Sequence, residues 1–349
     1  MDTAKNGQYA LRRTNRPING IVNLGPRRPS RHEKIVKYLI VSRMNGFGLD
    51  QDVRILRDAL AAMGIDAATA RPRERGWLDI LKRRIAADRI IHVERVHWRW
   101  LGAAREHFVI PNQERFPPRI LRTLRRVDHV LVKTHHAESI FSGLGLPTTL
   151  LGFTSRDCQL PRVEKDWSRC LHIVGRSTMK GTEAVVAAWA RHPDWPELVM
   201  VEDPSRPQRS VPDNVTLLKR YMNEDELRAL QNGCGIHLCP SRSEGWGHYI
   251  HEAMSCGAVV ITTDAPPMNE FIDETTGILA PAGRSESRHL GQCYFVNEAE
   301  FERRIESVLA MSGEAKARMG AAARRRYEEV DHLFQGRIAG IFAPEENSK

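Results

Sequence analysis

The sequence contains no apolar run approaching the length of about 18 residues that a membrane-spanning helix requires, so no such helix is expected. Its first residues lack the apolar core of a secretory signal. Six cysteines, Cys158, Cys170, Cys234, Cys239, Cys256 and Cys293, show no paired-ligand spacing. The expectation is therefore a reduced, cytoplasmic protein without structural zinc. Cys234 and Cys239 flank a short apolar run and read as small core residues. No internal repeat is apparent.

What is present suits a two-domain chain. The 349 residues are long for one core and comfortable for two. Apolar residues make up 41% and charged residues 27%, as in ordinary globular proteins. The net charge of +9 is unevenly spread. Residues 1–34 hold eight basic and two acidic side chains with much Pro, Asn and Arg, and read as a flexible basic tail. Residues 71–126 hold fifteen basic and six acidic side chains. A basic face there suits an anionic acceptor or an anionic membrane surface, and equally a solvated Arg-rich exterior. Within it, Ile120, Leu121, Leu124 and Val127 can share one face of a basic helix. That face fits either a membrane surface or packing on a sheet.

The densest signal runs from Pro240 to Gly257. Gly235–Cys239 is a buried-strand run, Gly245-Trp246-Gly247 a glycine turn, and the next residues a short helix that Gly257 can stop. Ala258–Thr262 restarts as a strand. Such βαβ units bind ligands at the carboxyl ends of their strands. Bare turn amides at a helix start face an anion. Glu244 and Glu252 can accept hydrogen bonds from hydroxyls. A ligand carrying both phosphate and hydroxyl groups satisfies both halves.

The string Ser243-Glu244-Gly245-Trp246-Gly247, then Glu252-Ala253-Met254 and Gly257, resembles the signature of glycosyltransferase family 4 (group 1), whose two glutamates are separated by seven residues. Gly175-Arg176 followed by Lys180-Gly181 is similar to the family's phosphate clamp, and Asn269-Glu270 with Thr276–Leu279 is a third match. The resemblance is specific over residues 165–330 and weak over 35–155. It implies an α/β protein of GT-B fold, with two Rossmann-like parallel-sheet domains facing a central cleft. It further implies a retaining hexosyltransferase that uses a UDP- or GDP-type sugar as co-substrate, with no other cofactor and no metal. The acceptor would be a glycan, a lipid-linked carbohydrate or a small molecule. By this resemblance Arg176 and Lys180 stabilise the leaving diphosphate, Glu244 holds the transferred sugar and Glu252 the ribose. Gly175, Ser243, Gly245, Trp246, Gly247 and Glu270 join them at the donor.

The amino-terminal half opens with a strand over 34–42, a glycine loop over 43–48 and a helix over 50–63 with Val53, Leu56, Leu60 and Met63 on one face. In the family the corresponding loop approaches the donor diphosphate, which marks Gly46 and Gly48. Further strands end at Glu94, at Asn112 and Glu114, and at Thr134 and His135. These five are acceptor-site candidates, since strand ends in an open parallel sheet crowd one crevice. The family's histidine near the donor hexose has no secure counterpart, and Glu94 or Glu114 stands where it is expected. The expected domains are 35–152 for the acceptor and 168–330 for the donor, with 153–167 as linker and 331–349 crossing back to the first domain. Two other readings stay open: a basic nucleic-acid-binding protein and a GT-B scaffold without activity. No nucleic acid is expected on the main reading, and peripheral contact with an anionic membrane is compatible with it.

Overall fold

The computed structural model describes residues 36–343 apart from positions 45 and 47. The expected tail over 1–34 and the last six residues lie outside the described residues. Residues from Ile35 onward form one compact unit holding two sheets.

The first sheet is built from β1 (Val36–Val41), α1 (Gly48–Ala62), β2 (Ala67–Ala70), α2 (Trp77–Leu81), β3 (Ala87–Glu94), β4 (Glu106–Pro111), β5 (His129–Val132), α3 (His135–Gly143) and β6 (Thr148–Leu150). Its order is β2-β1-β3-β4-β5-β6, parallel throughout. In α1 the apolar stripe Leu49, Val53, Leu56 and Leu60 is buried against the sheet, as a 3.6-residue period demands. The basic segment 118–126 is a 3-10 helix, not an α-helix, with Pro118 at its start. Leu124 is buried with Phe116 and Phe141, and Ile120, Leu121 and Val127 pack against them. Of the two readings of that stripe, the structure takes sheet packing.

Residues 151–165 cross between the sheets without regular structure. The second domain comprises β7 (Asp166–Gly175), α4 (Thr182–Arg191), β8 (Leu198–Glu202), β9 (Val215–Leu218), α5 (Glu224–Gly233), β10 (Cys234–Cys239), α6 (His248–Ser255), β11 (Val259–Asp264), β12 (Gly277–Arg288), β13 (Gly291–Val296), α7 (Glu298–Leu309) and α8 (Gly313–Phe342). Asn223 caps α5, its side chain accepting from the Glu226 amide at 2.8 Å. The sheet order is β13-β12-β11-β10-β7-β8-β9, parallel except for the β12–β13 hairpin. Read outward from β7, this is the order of a dinucleotide-binding sheet, whose direction reverses between β7 and β10. In the first sheet the reversal falls between β1 and β3. Each crevice opens at the carboxyl ends of its strands.

The two domains are tied by α8. Its first half buries Ala323 and Tyr327, and its second half buries Phe334, Ile338 and Phe342 in one core with Ile40 and Phe108. The Phe342 ring lies 4.9 Å from Phe108, and the Tyr38 hydroxyl donates to the Phe342 carbonyl at 3.2 Å. The return to the first domain is thus a continuation of one 30-residue helix.

Candidate active site

A cleft of about 1040 Å³ opens where the two crevices meet. From the second domain it is lined by Gly175, Arg176, Lys180, Glu244, Gly245, Trp246, Gly247 and Glu252, and from the first by Gly46, Gly48, Glu94, Asn112 and Glu114. Thirteen candidate residues therefore share one cavity although they come from separate sheets.

The turn Gly245-Trp246-Gly247 is formed as its residues require. Gly247 caps α6 at a φ of +92°, a region closed to most side chains. Gly245 is approached so closely by the Asn112 side chain that a Cβ would meet it at 2.5–2.8 Å. The Trp246 ring is buried, stacked 4.1 Å from His251 and edge-on to Phe271. Burial pushes the His251 pKa down to about 3, so a neutral ring supports the turn.

Lys180 and Glu244 form an ion pair at 2.7 Å. The same Glu244 oxygen accepts from the Ser241 hydroxyl at 2.5 Å, and Ser241 in turn meets the Tyr249 hydroxyl at 2.7 Å. The Lys180 ammonium also sits 3.4 Å from the Tyr249 ring centroid. Oε1 of Glu244 thus carries the internal contacts. At the other end of α6, Glu252 accepts from Gln51 of α1 at 2.9 Å and from Gln231 of α5 at 3.4 Å. Gln113 donates across the cleft to the Glu244 carbonyl at 3.0 Å.

Sequence reasoning missed a buried network beside the turn. Asp52 of α1 accepts from Lys133 at 2.6 Å and pairs with His248 at 2.9 Å. The other ring nitrogen of His248 meets Ser155 Oγ at 2.9 Å, and the Trp246 indole donates to the same oxygen at 3.1 Å. Burial alone would raise the Asp52 pKa. The Lys133 charge and the His248 bond outweigh it and hold the carboxyl below its usual 3.8. His248 lay inside the glycine-turn motif, but the sequence alone carried no signal for its partners.

On the first-domain wall, Glu94 holds a φ of +71° at the end of β3, a conformation that costs a non-glycine residue about 1–3 kcal/mol. Glu114 is buried, and its Oε2 has no hydrogen-bond partner among the described residues. Burial pushes its pKa up to about 7, with the Glu244 charge acting in the same direction. Arg43, Arg95 and Arg115 also line this wall, with Arg95 paired to Glu94 at 3.0 Å.

Four candidates are not brought to the cleft. Glu270 has its carboxylate on the amides of His135 and His136, at 2.8 and 2.7 Å. It stabilises the first turn of α3, where exposed N–H groups favour an anion. Thr134 is the cap of α3, accepting from the Ala137 amide at 3.1 Å. His135 lies in that same first turn and pairs with Glu138 at 3.0 Å. Ser243 is buried and does not line the cavity. Among the described residues no helix is long and apolar enough to cross a membrane.

This arrangement, two Rossmann-like sheets closing a cleft over a glycine turn between two glutamates, is the GT-B fold. Residues 171–326 match the family described as Glycosyl transferases group 1. The matched residues lie within the second domain, from β7 to α8. No curated protein matches the chain. Among solved structures it is similar to a sucrose-phosphate synthase from Thermosynechococcus elongatus, with a TM-score of 0.69, 17% identity, and coverage of 87% of this chain and 98% of the other. A glycosyltransferase from Rickettsia africae aligns with a TM-score of 0.66 at 14% identity over 87% and 97% of the two chains. Anabaena HepE, solved with UDP and glucose, aligns with a TM-score of 0.64 at 15% identity over 88% and 99%.

Proposed function

We propose that this chain is a retaining, metal-independent glycosyltransferase that moves a hexose from a nucleoside-diphosphate sugar to a glycan, lipid-linked or small-molecule acceptor. The observation that carries the reading is the convergence of Arg176, Lys180 and the 245–247 turn on one cleft, with Glu244 and Glu252 at the two ends of the motif. Breaking the sugar–phosphate bond builds negative charge on the diphosphate and oxocarbenium character on the sugar. Arg176, Lys180 and the turn amides receive the diphosphate charge, and donors that tighten as charge develops raise the rate. Glu252 accepts from the ribose hydroxyls, exchanging its contact with Gln51. Glu244 keeps Oε1 on Lys180 and Ser241 and offers Oε2 to the sugar hydroxyls. HepE was solved with UDP and glucose, and a donor of that class fits this division of groups.

Glu114 faces the acceptor hydroxyl. The test is transfer from UDP- and GDP-sugars followed by proton NMR of the product anomer, with and without a chelator. Retention of the donor's configuration, insensitivity to chelator and loss of turnover in Glu244→Ala are expected. An inverted product, or equal inertness of both proteins over a broad donor panel, overturns the proposal.

A further inference from the structure

The first domain carries a surface that the cleft chemistry does not use. Trp77, Leu78 and Leu81 of α2, with Ile85 and Trp98, are 47–76% exposed. The Trp77 and Trp98 rings lie 5.8 Å apart, so the two segments form one patch. Other large exposed apolar residues among the described ones, Leu144, Val163, Tyr221 and Leu333, fall on four separate segments. Isolated exposed hydrophobics need no explanation, but a cluster of five does.

The patch is held rigidly. Arg75 is buried beneath it and donates to the carbonyls of Arg99 at 2.8 Å, Arg84 at 2.9 Å, Asp79 at 3.2 Å and Leu101 at 3.4 Å. One guanidinium thus pins α2 to the turn bearing Trp98. The Arg99 guanidinium lies 4.8 Å from Trp77 and 5.5 Å from Trp98, further fixing the rings. Such a platform presents its apolar groups outward without a collapse that would hide them.

Its rim is basic. Arg71, Arg73, Lys82, Arg83 and Arg84 are exposed around it, against Glu74 and an Asp79 already paired with Arg84. Residues 1–34, with eight basic and two acidic side chains, carry the same sign and are not the electrostatic complement of this rim. Indole rings and leucines ringed by long cationic side chains match the two zones of a bilayer surface: apolar groups enter the acyl boundary while Arg and Lys reach the headgroups.

We infer that the Trp77–Trp98 platform is a docking surface for an anionic phospholipid bilayer. The turn bearing Trp98 starts directly after Glu94 and Arg95, which line the cleft. Docking here holds the acceptor wall beside the membrane. The inference does not depend on the donor chemistry.

The test is co-sedimentation of the full chain with vesicles of phosphatidylcholine alone and of phosphatidylcholine containing one third phosphatidylglycerol. Binding to the anionic vesicles, weakened by salt, is expected. The triple variant Arg73→Gln, Lys82→Gln, Arg83→Gln lowers the partition coefficient by about a hundredfold. The pair Trp77→Ser, Trp98→Ser lowers it as well and removes the lipid-induced blue shift of tryptophan fluorescence. Melting followed by circular dichroism verifies that each variant is folded, and the charge variant, confined to exposed side chains, stands if the tryptophan variant does not fold. Failure of the wild-type chain to bind anionic vesicles, equal binding to both vesicle types, or binding unchanged in the charge variant each overturns the inference.

Discussion

Replacing Glu114 by Gln isolates a single buried carboxyl whose ionisation the fold opposes. Its pKa rises from the usual 4.5 to about 7 in the folded chain. A raised carboxyl pKa means that the native state holds the proton longer than the unfolded chain. The favourable contribution is full below pH 4.5 and is lost as pH climbs through 7. At 1.36 kcal/mol per pH unit, the shift amounts to about 3 kcal/mol by pH 8, of which roughly 1 is already lost at pH 5. Glutamine keeps the shape and has no charge to bury. The stability difference between Glu114→Gln and the natural chain should therefore move by about 2–3 kcal/mol in favour of the variant between pH 5 and pH 8. Urea denaturation of both proteins across that range measures it, and the titrations they share cancel in the difference. Curves that stay parallel within about 1 kcal/mol would refute the reasoning; Glu114 would then be ionised and solvated in the folded state.

Two further substitutions probe contacts around the cleft. Asp52→Ala leaves the Lys133 ammonium buried without its carboxylate and should cost about 3–5 kcal/mol in denaturation, with part of the loss recovered by adding Lys133→Met. Because the folded pKa of Asp52 is depressed, its contribution is present above pH 3.8 and fades only as pH falls through the lower folded value. A loss under about 1 kcal/mol would show the pair to be solvated. Gly245→Ala sets a methyl group against Asn112 and should lower kcat/KM, and adding Asn112→Ala should restore it. No recovery in the double variant would argue that the two walls do not meet at this point.

The donor half was legible because its signals are local. The strand, glycine turn and helix around Gly245 depend on neighbours in the chain, and the buried runs of β7, β10 and β11 are long enough to be unambiguous. The first domain was harder to read. β2 is Ala-Ala-Thr-Ala, which has little strand propensity, and its place beside β1 comes from tertiary pairing. The exposed β12–β13 hairpin has too few buried positions to show a pattern. In the segment 118–126 a helical stripe was present, but the observed helix is the tighter 3-10 form. Glu270 matched its motif locally, yet the fold gives its carboxylate to the α3 amides. The Asp52, Lys133, His248 and Ser155 network joins residues from four distant segments, and a single sequence has no periodicity that reports such contacts.

Calorimetric titration with UDP and with GDP, comparing the natural chain with Glu252→Gln, tests the cleft as the nucleotide site most directly. A hydrogen bond to a charged group contributes about 1.5–3 kcal/mol. One of the two nucleotides should therefore bind the natural chain and lose about tenfold to a hundredfold in affinity on this one change. Binding of neither nucleotide, or equal affinity in both proteins, would contradict the account.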